Sequence, residues 1–332
     1  MKFIPLIMLT SIILFSLGCI SSPEIKTEKI TTLRIGYQPT THHVAEMVAQ
    51  AKGWWQADLK PFGIKEIKDF GYPAGGPEME AMQAGDIDAA YVCTAPFIRP
   101  ASRGLDAKLV AAVNINGSNL VLRPNLEYKG AQSLRGLNIG SLPAGTAQDT
   151  LLKEWLEKNG VNLSDVNITA MGPGDAVKAM LEGKVDGIFL PEPAPAMVEM
   201  AKKGRSVWAS GEIKPNHGCC GIVVSGKLIR EEPDLVMQII RTHMNATNYA
   251  NAHPEEAAEI YSNRTGQDLE MIKYSIRNWD GKWVSDPHLV INDTMDFARF
   301  QYKLNYTQKM MNQSELFDTS LYDKVMQSEK KP

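Results

Sequence analysis

Two distant stretches of this chain share one grammar. Gln83-Ala84-Gly85-Asp86-Ile87-Asp88-Ala89-Ala90 and Leu181-Glu182-Gly183-Lys184-Val185-Asp186-Gly187-Ile188 each run from a helix end through a glycine turn and an acidic residue into an apolar strand, and each strand ends in a proline-bearing loop. The spacing is too long for a solenoid repeat, so the repetition implies two similar α/β units. Strand and helix signals alternate around both copies. Leu33–Tyr37, Ile67–Phe70, Ile87–Val92 and Leu109–Val113 read as strands, with helices over His43–Lys52 and Glu78–Ala84 between them. After Asn114-Ile115-Asn116-Gly117 the pattern restarts with strands at Leu137–Gly140, Val166–Thr169 and a turn-to-strand run over Gly183–Leu190, and helices at Gln148–Lys158 and Ala176–Glu182. A strand at Gly221–Ser225 follows, then helices at Pro233–Asn251, Pro254–Asn263, Asp268–Asn278 and Thr294–Gln308. Such alternation predicts an α/β, two-lobed fold in which each lobe is a mainly parallel sheet flanked by helices.

The amino terminus predicts a location. Met1-Lys2 precedes an almost wholly apolar run from Phe3 to Leu17, and Gly18-Cys19 follows. A charged start, a short apolar core and a small residue before the cut make a secretory signal, and a spanning helix needs roughly 20 apolar residues. Ser16-Leu17-Gly18-Cys19 resembles a lipoprotein signal, with Ser where Leu is usual. Residues 1–18 are then the signal peptide, Cys19 carries the lipid, and 19–31 form a flexible tether. An uncleaved anchor helix is the alternative. Either way the rest of the chain works outside the cytoplasm, on the outer face of the cell membrane. The net charge of −3 points to neither nucleic acid nor an anionic lipid surface. Asn-X-Ser/Thr triplets at Asn116, Asn162, Asn167, Asn245, Asn263, Asn292, Asn305 and Asn312 agree with surface exposure. Three cysteines remain beyond Cys19: Cys93, Cys219 and Cys220. Cys93 could pair with either of the others, or all three could pack as small hydrophobes. Two adjacent cysteines are a poor ligand set alone, so the sequence predicts no metal site.

Open parallel sheets bind ligands beyond the carboxyl ends of their strands. Those ends carry Tyr37–Thr41, Tyr72–Gly76, Cys93–Ala95, Pro143–Thr146, Gly172–Gly174 and Glu192-Pro193, and most run into a helix start. Free N–H groups and the positive helix end favour an anion there, with no charged clamp. His42 and His43 open the first helix; one could face the cleft. Glu192, between two prolines, could accept from a ligand N–H or bond neighbouring backbone. Trp279 and Trp283 fit burial better than a cleft wall, and Asp86, Asp88 and Asp186 fit turns and strand ends better than catalysis. No nucleophile elbow, phosphate loop, His-Glu-x-x-His or dinucleotide fingerprint is present, so the usual enzyme signatures are missing.

The lipoprotein start, Leu33–Pro39, Ala49–Trp55, Met82–Asp88, Gly136–Gly140 with Pro143–Thr146, and Glu192-Pro193, in that order, resemble the substrate-binding proteins of ABC importers for nitrate, sulfonate and taurine. The likeness covers about residues 32 to 280. It implies a type II periplasmic-binding-protein fold with one lobe from 32–114 plus 218–332, the other from 115–217, and two crossing strands. It also implies a small anionic solute held between the lobes by Gln38, Thr41, His42, Gly75, Thr94, Thr146 and Glu192, lobe closure, and a monomer docking on a membrane permease, with no cofactor and no enzymatic activity. A pyrimidine or thiamine precursor is the alternative cargo. The alternative activity is that of the thiamine-pyrimidine synthases, which share the fold and carry a cysteine-rich segment resembling His217-Gly218-Cys219-Cys220-Gly221.

Overall fold

The computed structural model describes residues 29–329, so the expected signal peptide, Cys19 and the tether up to residue 28 lie outside the described residues. The first sheet takes strands β1 (Thr32–Tyr37), β2 (Glu66–Gly71), β3 (Ala89–Cys93) and β4 (Ala107–Ile115). The chain then builds β5 (Ser118–Leu122), β6 (Asn138–Ser141), β7 (Asn167–Ala170), β8 (Gly187–Pro191) and β9 (Arg205–Ala209) of a second sheet, and returns with β10 (Gly218–Ser225) and the short β11 (Lys282–Trp283) to the first. The strand orders are β2-β1-β3-β10-β4-β11 and β7-β6-β8-β5-β9.

These orders are twins. In each sheet three parallel strands lie side by side, and the fourth position holds a strand that has just crossed from the other sheet. β10 runs antiparallel to β3 and β4, and β5 antiparallel to β8 and β9. Four of the six strands of the first sheet and four of the five of the second therefore run one way, so the sheets are mainly parallel as expected, interrupted by the antiparallel crossing strand. A crossing strand enters from the end where the parallel strands finish, so it must run against them. The repeated grammar also acquires a physical meaning. Asp88, ahead of β3, accepts from the Arg34 backbone N–H at 2.9 Å, and Asp186, ahead of β8, accepts from the Asn138 N–H at 2.9 Å. Each turn carboxylate thus fixes the start of the neighbouring parallel strand.

β4 and β10 are buried along nearly their whole length, as central strands covered on both faces must be. The edge strands β2 and β7 are largely exposed. Two elements missed in the sequence are central to the layout. β5 is an apolar run directly behind the positive-φ pair Asn116-Gly117, where the sequence pattern had been broken off. Thr94–Ser102, expected to begin as a loop, is a helix. Its Pro96 falls in the first turn, where no N–H is needed, and only Pro100 lies inside. Helices also cover Trp54–Leu59 and Ala194–Met200, and the last long helix is His288–Lys303 rather than one from Thr294. Among the described residues no helix is long and apolar enough to cross a membrane.

Candidate functional site

The two crossings lie side by side, with the Asn116 N–H donating to the His217 carbonyl at 2.9 Å. Asp280 clamps them. Its carboxylate accepts from the Gly117 N–H at 2.9 Å and the Gly211 N–H at 2.6 Å. Above this floor the carboxyl ends of β1, β3, β6 and β8 face one another. Gln38, after β1, donates from its side chain to Glu78 at 2.6 Å, and its backbone N–H donates to His43 Nδ1 at 2.9 Å. That bond makes Nδ1 the acceptor, and burial, with His42 adjacent, holds His43 neutral, its pKa well below the usual histidine range. Thr41 joins the two sheets: its N–H donates to the Glu192 carbonyl at 3.4 Å, and its own carbonyl accepts from the Trp283 indole at 2.8 Å. Trp283 is buried, as expected. His42 donates from Nε2 to the Gly117 carbonyl at 2.8 Å. Thr41 and Thr94 are fully buried, and their hydroxyls have no protein partner among the described residues.

Glu192 is buried, and its carboxylate accepts from Ser275 Oγ at 2.7 Å, Asn119 Nδ2 at 2.9 Å and the Ala196 N–H at 3.4 Å. Burial pushes its pKa up to about 7 against those three bonds. Its side chain therefore ties the second sheet to the helix Leu269–Asn278, the structural role weighed for it in the sequence. Gly75 begins the helix Gly75–Ala84, and a Cβ there would lie 2.8 Å from the Pro96 ring, so it serves close packing of two helices. Thr146 caps the helix Ala147–Lys158, its hydroxyl accepting from the Asp149 N–H at 3.3 Å.

Two cavities open between the sheets' loops. The smaller, about 280 Å³, lies between Gln38, Pro39 and Pro73 on one side and Pro173, Gly174 and Glu192 on the other, with Gln267 at its edge. The larger, about 540 Å³, lies between Ala74, Gly76, Glu80, Arg99 and Arg103 on the first-sheet side and Pro143–Thr146 on the second. Its walls include the N-caps of two helices, Ala74 for Gly75–Ala84 and Thr146 for Ala147–Lys158. Ala74 has no capping side chain, so first-turn N–H groups of that helix remain available to a ligand. Glu78, in the same first turn, is buried, and burial raises its pKa well above the carboxylate range, so it adds little negative charge there. Arg99 and Arg103, one helical turn apart, are exposed and form no ion pair among the described residues. The sequence missed this pair. It sits in the segment expected to begin as a proline-rich loop, and the i, i+4 spacing carries meaning only once the segment is helical. Of the residues singled out beforehand, Thr146 lines the larger cavity, and Gln38 and Glu192 the smaller. Gly75, Thr41, His42 and Thr94 are buried behind these walls.

A further buried carboxyl shapes the response to pH. Neither carboxylate oxygen of Glu46 has a partner among the described residues, and burial, with Asp69 adding to it, lifts its pKa from 4.5 to about 8. The folded state then keeps a proton that the unfolded chain releases. The neutral carboxyl supports the fold fully below about 4.5, and this support is lost as pH rises to about 8. Glu46→Gln is expected to match the parent near pH 4.5 and to exceed it at pH 8.5 by on the order of 5 kcal/mol in urea unfolding. Equal pH dependence in the two proteins would contradict this assignment.

Below the site, Cys93, Cys219 and Cys220 are free and buried. No disulfide links them. Their sulfurs lie 3.0 Å (Cys93–Cys220), 3.6 Å (Cys219–Cys220) and 3.8 Å (Cys93–Cys219) apart, beside His42.

Comparison with known proteins agrees with this architecture. The model of the NMT1-like family matches residues 26–263. A Bacillus subtilis protein provisionally named for binding aliphatic sulfonates is 24% identical over 327 residues, 97% of this chain and 96% of that one. The periplasmic nitrate-binding protein NrtA from Synechocystis superposes with a TM-score of 0.79 at 16% identity, covering 92% of this chain and 90% of its own. The periplasmic aliphatic sulphonate binding protein SsuA from Escherichia coli gives 0.75 at 18% identity, covering 89% and 100%. A Saccharomyces cerevisiae 4-amino-5-hydroxymethyl-2-methylpyrimidine phosphate synthase is also related, at 23% identity over 75% of each chain. The fold is the two-sheet α/β fold of periplasmic binding proteins, and the chain belongs to the NMT1-like family.

Proposed function

We propose that this chain is an extracytoplasmic solute-binding protein of an ABC importer. In this reading it captures a small anion of the sulfonate, taurine or nitrate kind between two lobes, 32–114 plus 218–332 and 115–217, and delivers it to a membrane permease. The observation that carries the proposal is the larger cavity, with two helix N-termini and two guanidinium groups that form no ion pair among the described residues at its wall. Helix N-termini supply N–H donors and partial positive charge, and arginine matches the geometry of an oxyanion. Gly76 and Thr146 line that cavity. Gln38, Thr41, His42 and Glu192 bond the loops around the cleft to their neighbours, Gly75 packs on Pro96, and Thr94 is buried. The names of the Bacillus, Escherichia and Synechocystis relatives support the same solute class.

The mechanism is closure. Gln301 donates to the carbonyls of Ala95 at 3.1 Å and Gly145 at 3.0 Å, one on each side of the cleft. Ser275 reaches Glu192 across it, and Lys153 donates to Tyr306 at 2.8 Å. A solute touching both walls adds to these bonds and shifts the population toward the closed form. Anchoring by a lipid on Cys19 would keep the protein, as a monomer, beside its permease. A pyrimidine cargo depends on a free Glu192 carboxylate, and that carboxylate is already engaged on three sides.

Calorimetric titration with ethanesulfonate, taurine, nitrate and an aminopyrimidine tests the proposal. At least one of the first three is expected to bind with micromolar or tighter affinity, and the aminopyrimidine not at all. Binding of the aminopyrimidine alone would replace the proposed solute class, and binding of none would remove it.

A further inference from the structure

Neighbouring residues of a regular strand point to opposite faces, so Cys219 and Cys220 should diverge. They do not. The register of β10 against β4 shifts between Gly218 and Cys220 and again between Cys220 and Gly221. This irregularity turns both thiols to one side, as bulges do where a side chain must be re-aimed. Cys93, the register partner of Cys220 on β3, joins them. His42, from the turn after β1, brings Nδ1 to 3.6 Å from Cys219 Sγ and 3.8 Å from Cys220 Sγ. Three soft donors, His42, Cys219 and Cys220, thus lie within 4.8 Å of one another in a buried place, and Cys93 lies beside the two cysteines at 3.8 and 3.0 Å.

We infer that Cys93, Cys219, Cys220 and His42 form a buried zinc site that fastens the returning strand β10 to the floor of the cleft. Bond lengths of about 2.3 Å to sulfur and 2.0–2.1 Å to nitrogen in a tetrahedron require sulfur–sulfur separations of about 3.8 Å and sulfur–nitrogen separations of about 3.6 Å. The separations of 3.6 and 3.8 Å between Cys219 and the other two sulfurs, and of 3.6 and 3.8 Å to the imidazole, already meet this requirement. The Cys93–Cys220 pair, at 3.0 Å, has to open, and Cys93 has to move toward the imidazole, because it lies outside the set of donors within 4.8 Å of one another. The imidazole is set in the tautomer a ligand needs. A carbonyl can only accept, so the 2.8 Å contact with Gly117 O places the proton on Nε2 and leaves the Nδ1 lone pair toward the thiols. Three thiolates with one imidazole form a closed, soft set of the structural zinc type, with no position left for water. Each thiol gives up its proton to solvent as the metal binds, and no electron is transferred.

The full chain, reduced and then dialysed against zinc, is expected to retain one equivalent by elemental analysis and to melt at a higher temperature than the chelator-treated protein. With cobalt(II) in its place, thiolate-to-metal charge-transfer bands and tetrahedral ligand-field bands should appear. Cys219→Ser should lower the charge-transfer intensity by about a third, as expected for loss of one of three thiolates. In the unmutated chain, zinc should slow alkylation of all three thiols together, a readout that does not depend on a variant folding. Any of four results would overturn the site: no retained metal, retention of iron(II) in preference to zinc, cobalt bands unchanged in Cys219→Ser, or a Cys93–Cys220 disulfide formed in place of metal binding.

Discussion

Reversing both charges at the cavity wall, Arg99→Glu with Arg103→Glu, is expected to weaken sulfonate binding at least 100-fold while leaving the fold intact. Both side chains are exposed and bond no carboxylate among the described residues, so their replacement removes no packing and strands no partner. Their effect falls on the ligand. A hydrogen bond from a charged donor to an anion contributes about 1.5–3 kcal/mol. Two lost contacts, with glutamates repelling the anion in their place, therefore exceed the roughly 2.8 kcal/mol that corresponds to a factor of 100. Calorimetry on the parent, the double variant and Arg99→Lys with Arg103→Lys checks this, and the lysine pair should recover part of the affinity because it keeps the charge but loses the paired donors. An affinity unchanged within twofold in the glutamate variant would place the anion elsewhere.

The largest loss of stability is expected at the first crossing, in Gly117→Val. Gly117 has φ +95°, which a β-branched residue avoids. A Cβ there would lie 2.6 Å from His42 Nε2 and 2.9 Å from the Trp279 ring. His42 is held in the buried floor, and Trp279 stacks on it at 5.6 Å between centroids and on Trp283 at 5.2 Å, so the group has little room to yield. Backbone strain of about 1–3 kcal/mol and overpacking of a similar size should together cost on the order of 4 kcal/mol in urea unfolding. Gly160→Ala is the control. It also has a positive φ, +68°, but nothing lies within 4 Å of its Cβ, so only the backbone cost of about 1 kcal/mol should appear. Equal losses at the two positions would mean that the crossing is not tightly packed.

What the sequence revealed follows from what periodicity encodes. The glycine turns at Gly85 and Gly183, with Asp88 and Asp186 behind them, announced twin units because each motif is complete within eight residues. The parallel direction of most strands was legible in the alternation with helices, but the reversal at the crossings was not. The antiparallel course of β5 and β10 depends on where the chain re-enters a sheet, which no local pattern records. The loops flanking the cleft were visible as glycine and proline clusters before helices, yet the roles of their members were not. Gly75 answers to Pro96, Glu192 to Ser275 and Asn119, and Gln38 to Glu78, all partners far along the chain. Arg99 and Arg103 were hidden by the prolines around them. The thiol cluster was invisible because adjacent cysteines converge only through the irregular pairing of β10 with β4.

A crystal structure of the full chain grown with ethanesulfonate tests the central claim most directly. The account predicts the sulfonate group in the larger cavity, its oxygens bonded by first-turn N–H groups of Gly75–Ala84 and Ala147–Lys158 and by Arg99 or Arg103. A sulfonate seated in the smaller cavity beside Gln38 and Gln267, or bound only outside the space between the two sheets, would contradict it.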